Sequence, residues 1–320
     1  MSNLKKEILV LLDREQFISG QNIADQLDVS RTAVWKTIQA LKEEGYLIES
    51  VTKRGYHLKS SPRYISPTSL SVLINKSNLF NNVEYFTTTP STQKEAFRIL
   101  SETRDPFMVV AEEQTEGRGR FERHWESPSK TGIYISLVLR PNIPITEIIR
   151  FNLFISLAIS KSLDEAFGVE TGIKWPNDIY LQDKKICGFL TEVVSESGVI
   201  NAIICGIGIN IFKDVSRTKI PTATSIEDVV GTSEKVDLDL FMERFLDNIE
   251  VYYNRFLTDP FSSIRDDWKA KSIIFGKDLR ITETGNMFTG RALDINDDGF
   301  LEVLDEEGNI KKVISADIEL

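Results

Sequence analysis

The sequence predicts a multi-domain α+β protein, and three stretches of different texture predict it. Residues 1–62 read as three short helices and a hairpin, residues 67–270 mix strands with helices, and residues 272–320 hold only short strands and turns. The chain has 320 residues, more than one hydrophobic core holds, since single cores stop growing at roughly 250–300 residues. Composition is that of an ordinary globular chain, 41% hydrophobic and 27% charged.

In the first stretch Leu4, Ile8, Leu11 and Leu12 recur at helical spacing and give one apolar face. Ser19-Gly20 breaks that pattern, and Ile23, Ala24 and Leu27 mark a second, short helix. After the turn Asp28-Val29-Ser30, a third helix places Val34, Ile38 and Leu41 inward, with Ser30 as its expected N-cap. Arg31, Thr32, Trp35, Lys36 and Gln39 are then turned outward. Segments 46–51 and 56–59 alternate around Thr52-Lys53-Arg54-Gly55, a hairpin tip. This order is that of a winged helix-turn-helix, whose third helix enters the major groove and whose wing reaches a phosphate or the minor groove. Arg31 and Thr32 lie where base contact occurs, Lys36 at a phosphate position, and Lys53 and Arg54 at the wing tip, with Ser30 and Trp35 as further DNA-binding candidates. A helical protein-interaction module with merely solvated cations is the competing reading. A head this small binds weakly alone, so sequence-specific DNA binding implies a dimer on two half-sites.

Ser60-Ser61-Pro62 and Ser66-Pro67-Thr68 punctuate a boundary near residues 60–67. Strands are expected at 83–87, 107–113, 133–140, 185–194 and 201–211, and helices at 92–100, 145–167 and 238–257. Turns at 283–286, 296–299 and 306–309 cut the last fifty residues into a small β-barrel-like domain. Net charge is −10, which argues against a chain devoted wholly to nucleic acid. Residues 1–62 carry +1 and the remainder −11. No apolar run reaches the roughly 18 residues of a membrane span. Met1-Ser2-Asn3-Leu4-Lys5-Lys6 leads into an amphipathic stretch with Glu7 and Asp13 rather than a signal-peptide core. Cys187 and Cys205 sit in apolar runs and read as small buried hydrophobes. The expectation is a cytoplasmic protein with no membrane partner.

The densest chemical signal is Gln114-Thr115-Glu116-Gly117-Arg118-Gly119-Arg120-Phe121-Glu122-Arg123-His124-Trp125, directly after an expected strand. Glycines permit close backbone approach, arginines offer planar forks for carboxylate and phosphate oxygens, and a tryptophan can stack on a base. Alone, such a loop is equally a charged surface loop. It is joined by Ser91-Thr92-Gln93 at a helix start, Lys174-Trp175-Pro176-Asn177-Asp178, Lys185-Ile186-Cys187-Gly188-Phe189-Leu190-Thr191-Glu192, and Gly206-Ile207-Gly208-Ile209-Asn210.

With these five ordered motifs the chain resembles, over essentially its whole length, the bifunctional biotin–protein ligases that also repress the biotin operon. The resemblance implies a central fold shared with class II aminoacyl-tRNA synthetases and lipoate ligases, a mixed, largely antiparallel sheet with helices on one side. It implies an SH3-like barrel at 272–320 that supports nucleotide and carrier binding. Two steps are implied: biotin and MgATP give biotinyl-5′-adenylate and pyrophosphate, and the adenylate then acylates a lysine of a biotin carboxyl carrier protein of acetyl-CoA or pyruvate carboxylase. Further implied partners are operator DNA and, with ligand bound, a second copy of the chain.

That chemistry explains the residue types. The substrate carboxylate is itself the nucleophile, so catalysis is positioning plus charge compensation, from Arg118, Arg120, Arg123 and Lys185, with Mg²⁺ arriving on the nucleotide and no resident metal. By motif position Ser91, Thr92, Gln93 and Gln114 hold the ureido ring and its surroundings. The Arg118–Gly119–Arg120 backbone and the Lys185 ammonium hold the carboxylate end. Gly188, Gly206 and Gly208 leave room for the ring, although the last two are also read as strand-packing glycines. Trp125 is the adenine stacker and Asn210 an adenine reader, with Arg123 on the nucleotide. Asp178 arranges metal or the incoming lysine. Lys184 competes with Lys185 for its role, and the spacing to Gly188 favours Lys185. Trp175 reads as core.

The chain departs from the family pattern where Phe121-Glu122-Arg123 stands in place of Arg-Gly-Arg. One cation and one glycine are lost and an acid gained, which stiffens the loop and weakens its pull on anions. Phe121 is exposed and available to a dimer contact. A mixed anhydride needs a closed, dry site, so closure of residues 114–125 is expected to couple ligand to dimerisation or carrier binding, and biotin with ATP is expected to strengthen operator binding by about 1–3 kcal/mol. Two rivals remain at this point: a lipoate–protein ligase, and a ligand-sensing repressor with an inactive enzyme half.

Overall fold

A computed structural model describes residues 3–12, 16–214, 220–232, 236–283 and 286–319. Asp13 and the middle of the turn expected at 283–286 lie outside these residues.

The head is built as its periodicity demands. Helices α1 (Asn3–Leu11), α2 (Gly20–Leu27) and α3 (Arg31–Glu43) precede a hairpin, β1 (Leu47–Val51) and β2 (Gly55–Ser60). Ile8, Ile23, Val34, Ile38 and Leu41 are fully buried and form, with Tyr46, Ile48 and Leu58, a core of their own. Ser19 and Ser30 cap α2 and α3 by accepting the backbone N–H groups of Asn22 (3.0 Å) and Ala33 (3.1 Å). The head is tied to the body by polar groups. The Thr68 hydroxyl and the Lys5 ammonium both reach the Glu44 carboxylate, at 2.8 and 2.5 Å, and the Tyr64 hydroxyl donates to the Glu44 carbonyl. Tyr46 and Ser66 share a buried hydrogen bond of 2.5 Å, and the hydroxyls of Ser61 and Ser69 both donate to Asp239.

After α4 (Pro67–Ile74) comes the central sheet. Its strands are β3 (Asn82–Thr89), β4 (Phe107–Gln114), β5 (Gly132–Leu139), β6 (Ile143–Pro144), β7 (Gly172–Lys174), β8 (Asp178–Leu181), β9 (Lys184–Glu196) and β10 (Val199–Asn210). They lie in the order β3-β4-β5-β10-β9-β8-β7, with β6 on β10. Among the described residues the β3–β4 ladder of this sheet is parallel and its other ladders are antiparallel. Strand periodicity sorts its faces. Ile133, Ile135, Leu137 and Leu139 of β5, and Ile203, Cys205, Ile207 and Ile209 of β10, join the main core under helices α6 (Ile148–Phe167), α8 (Leu238–Thr258) and α9 (Phe261–Lys271). Both cysteines are fully buried, and burial pushes the Cys205 thiol up to about 12.

The opposite face is not bare. Helix α5 (Thr92–Ile99) covers one end of it through Ala96 and Ile99 on Phe107, Val109, Val138 and Ile204. Helices on one side only, as the resemblance implied, is therefore corrected: α5 is amphipathic and buries its apolar stripe on the second face. The short helix α7 (Ile226–Val230) lies between β10 and α8.

Strands β11 (Asp278–Glu283), β12 (Asn286–Ile295), β13 (Leu301–Asp305), β14 (Ile310–Val313) and β15 (Asp317–Glu319) form an antiparallel sheet in the order β14-β13-β12-β11-β15. Among the described residues no ladder joins β14 to β15, so the sheet is open there rather than a closed barrel. Its apolar side (Leu279, Ile281, Ala292, Leu301, Val303 and Ile318) belongs to the same core as α6 and α8. Trp175 is part of that core too, and its indole donates to the Gly299 carbonyl at 3.3 Å. No helix is long and apolar enough to cross a membrane among the described residues.

Candidate active site and nucleic-acid interface

The cavity opens on the face of the sheet that α5 leaves uncovered. Alternation along β9 and β10 sends Cys187, Phe189, Cys205, Ile207 and Ile209 to the core, and turns Gly188, Leu190, Glu192, Gly206, Gly208 and Asn210 to the other side. The cavity, about 240 Å³, is lined by Thr92, Gln93, Gln114, Arg118, Gly119, Arg120, Arg123, Trp125, Asp178, Lys185, Gly188, Gly206, Gly208 and Asn210 among others. Five separate motifs thus meet on one surface. Ser91 does not line it. It is the buried N-cap residue of α5 and stands behind the wall.

The glycines of the floor are required by what lies on them. A Cβ at Gly206 would sit 2.6 Å from the Gln93 amide carbon, and one at Gly208 would sit 2.2 Å from the Trp125 indole nitrogen. The Trp125 ring lies over Gly208 and Gly188 with the Lys185 ammonium 5.4 Å from its centroid. Its Nε1–H is buried with no hydrogen-bond partner among the described residues.

On the α5 side a polar network is closed by hydrogen bonds. Gln114 Oε1 accepts from the Thr92 backbone (2.9 Å) and hydroxyl (3.1 Å), and its Nε2 donates to Ser127 (3.0 Å). Buried Ser136 donates to the Thr92 hydroxyl at 2.8 Å. Residues of the Gly-Arg motif form a small hairpin, with Gly119 N–H on the Arg123 carbonyl (2.8 Å) and Trp125 N–H on the Gly117 carbonyl (2.9 Å). At its tip Phe121 and Glu122 both take left-handed angles, φ 54° and 56°. Neither is glycine, so the tip stores strain of order 1 kcal/mol per residue. Phe121 is 59% exposed, and the Arg120 guanidinium lies 4.8 Å over its ring.

Every cation of the site already has a partner in the protein. Lys185 pairs with Asp178 at 2.6 Å and Arg118 with Glu192 at 3.4 Å. Arg120 donates to Asn177, to the Ala316 carbonyl and to Ser315, and Arg123 forms a two-pronged ion pair with Asp317. Burial lowers Arg120 from its usual value, and the Asp317 contact raises Arg123. An exposed pair such as Arg123–Asp317 is worth about 0–1 kcal/mol, so a phosphate or carboxylate oxygen can displace it at small cost. Beside them Lys174, pushed down by burial, donates to the Tyr180 hydroxyl at 3.3 Å, whose own value burial raises to about 12. Lys184, the competitor of Lys185, is exposed and away from the cavity. Sequence reasoning did not single out Asp317, Ser136 or Ser127. Asp317 lies 194 residues from Arg123, so no local pattern announces it.

In the head Arg31, Thr32, Lys36, Lys53 and Arg54 are exposed, and Trp35 is 53% exposed on α3. Lys53 sits at φ 68° in the hairpin turn, and the Arg54 guanidinium covers the Phe17 ring at 4.1 Å.

Comparison with known proteins adds the family. Residues 83–210 match the Biotin/lipoate A/B protein ligase family, residues 4–57 an HTH domain, and residues 274–320 the Biotin protein ligase C terminal domain. The bifunctional ligase/repressor BirA of Bacillus subtilis is 37% identical over 325 aligned positions, spanning 100% of this chain and 99% of that one. The chain belongs to the bifunctional biotin ligase/repressor family. A further relative, the Biotin--[acetyl-CoA-carboxylase] ligase of Mycobacterium tuberculosis, is 29% identical over 67% of this chain and 79% of its own. Among solved structures, the biotin protein ligase of Aquifex aeolicus in complex with biotin and ATP shares 28% identity at a TM-score of 0.64, covering 75% of this chain and 98% of its own. Membership of a biotin ligase/repressor family accounts for the head and the cavity in one chain.

Proposed function

We infer that this chain activates biotin with ATP, transfers it to a lysine of a biotin carboxyl carrier protein, and represses the biotin operon through its head. The observation that carries this reading is the convergence of Arg118, Arg120, Arg123 and Lys185 on one cavity whose wall also holds the Thr92–Gln114 network. Two anions have to meet there, and cations from a hairpin and a strand compensate the charge that accumulates. In the first step a biotin carboxylate oxygen attacks the α-phosphorus, the new acyl–phosphate bond forms, and pyrophosphate leaves with the electrons of the broken P–O bond. In the second, the lysine amine attacks the acyl carbon, AMP leaves, and the amine gives up a proton.

Thr92, Gln93 and Gln114 take the ureido end, while Lys185 and the Arg118–Gly119–Arg120 segment take the carboxylate. Arg123, Trp125 and Asn210 face the nucleotide. Magnesium comes as part of MgATP, and Asp178, which lines the cavity, is the carboxylate we assign to the nucleotide's ion or the incoming lysine. Arg31, Thr32, Trp35 and Lys36 read and hold operator DNA with Lys53 and Arg54 on the wing, and the adenylate-bound chain acts as a dimer. We place the divisions at 1–62, 67–270 and 272–320, the last an SH3-like unit left open between β14 and β15.

Pyrophosphate exchange into ATP that requires biotin tests the reading. Exchange with lipoate instead of biotin refutes the substrate, and no exchange with operator binding retained leaves a sensor alone. Operator binding with and without biotin plus ATP tests the coupling.

A further inference from the structure

We propose that Glu192 is a positioning residue for the first step: it fixes which end of the Gln93 amide faces the cavity, and it seats Arg118 of the hairpin. The proposal rests on the biotin reading above and deepens it.

Glu192 stands on β9, on the cavity side of the sheet, but does not line the cavity. One of its oxygens, Oε2, accepts from Gln93 Nε2 at 2.8 Å and from an Arg118 guanidinium nitrogen at 3.4 Å. The Leu190 carbonyl accepts from the same Gln93 nitrogen at 3.1 Å. Both neighbours of the amide are pure acceptors. Only its nitrogen, with two hydrogens, can face them, and this holds whichever way the amide is drawn. Gln93 is 3% exposed and cannot satisfy those hydrogens elsewhere.

With both donors committed, Gln93 offers the ligand its carbonyl alone. That oxygen lies over Gly206, 2.7 Å from the place a Cβ would occupy, and both residues line the cavity. A fixed acceptor selects an N–H on the ligand, and a cyclic urea carries two. A freely turning amide would accept or donate and lose that selectivity. The same carboxylate holds Arg118, so the wall that reads the ring and the hairpin that meets the carboxylate share one support.

The test is biotin-dependent pyrophosphate exchange in the full-length chain with Glu192→Ala and Glu192→Gln, using biotin and its two isomers methylated at one ureido nitrogen. For Glu192→Ala we expect the KM for biotin to rise about tenfold, the equivalent of one hydrogen bond. The KM for ATP should stay within about twofold, and the preference for biotin over the methylated isomers should shrink. Glu192→Gln keeps an acceptor for Gln93 but no charge for Arg118, so it restores the preference while the KM stays raised. An unchanged KM for biotin with unchanged preference overturns the proposal. So does an equal rise in both KM values with a lowered thermal midpoint, the mark of a merely structural role. A wild-type chain that fails to exchange with biotin overturns the functional reading instead.

Discussion

Replacing Gly208 by alanine tests the cavity floor most directly. The added methyl would lie 2.2 Å from Trp125 Nε1 and 2.4 Å from Cε2, whereas atoms in contact rest near 3.5–4.0 Å. The indole therefore has to retreat by about 1 Å. Its backbone cannot follow freely, because Trp125 N–H is bonded to the Gly117 carbonyl and its own carbonyl accepts from Ser127. Displacing a stacking group by that distance costs on the order of 100-fold where geometry decides the rate, and stacking itself contributes about 1–3 kcal/mol per base. We expect the KM for ATP in biotin-dependent exchange to rise roughly 10- to 100-fold, with a thermal midpoint close to wild type. Gly208 sits inside β10 at an ordinary strand conformation, so alanine brings no backbone strain. In a Trp125→Ala background the same change should cost nothing more, since nothing remains to collide with. A normal KM for ATP in Gly208→Ala, or a full additional loss in the double variant, refutes the reasoning.

Lys185→Ala should lower exchange about 10²- to 10³-fold while exposed Lys184→Ala leaves it unchanged, which separates the two adjacent lysines by a single rate measurement. Tyr46→Phe removes the buried hydroxyl bonded to Ser66 at the joint between head and body, and should cost about 1 kcal/mol in denaturant unfolding without altering exchange. Asp305 is held down at about 2, chiefly by the Asn309 backbone N–H and by Lys311 at 3.1 Å. Because the folded value is depressed, its stabilisation is present above the ordinary carboxylate range and is lost as pH falls toward 2. Asp305→Asn should therefore be less stable than wild type at pH 7, and the gap should narrow between pH 4 and pH 2.5 in urea melts.

The head was legible almost residue by residue, because each helix repeats its apolar positions and Ser30 caps where a cap was required. Long strands β9 and β10 and helices α6 and α8 were legible for the same reason of period and length. Helices α4 and α9 and the short strands β7 and β8 were missed: eight or eleven residues without clean periodicity, or three to four between turns, carry too little pattern. The motifs named the cavity walls, and with them Asp178, the partner of Lys185, but not which of the other pairs would form. Glu192 and Asp317 meet Arg118 and Arg123 across 74 and 194 residues, and such pairings arise from topology rather than from neighbouring residues. Ser91 shows the converse limit, since a motif identifies a stretch and the turn of the helix decides which member faces inward.

The shared interior of the central and last sheets sets how the molecule comes apart. The apolar groups that the last sheet buries there cannot be peeled away from α6 and α8 without wetting both layers at once, so heat or protease should find two cooperative blocks, not three. Amputating the final fifty residues would open a wound in the body, whereas severing the chain just after the hairpin of the first sixty would leave both cores whole.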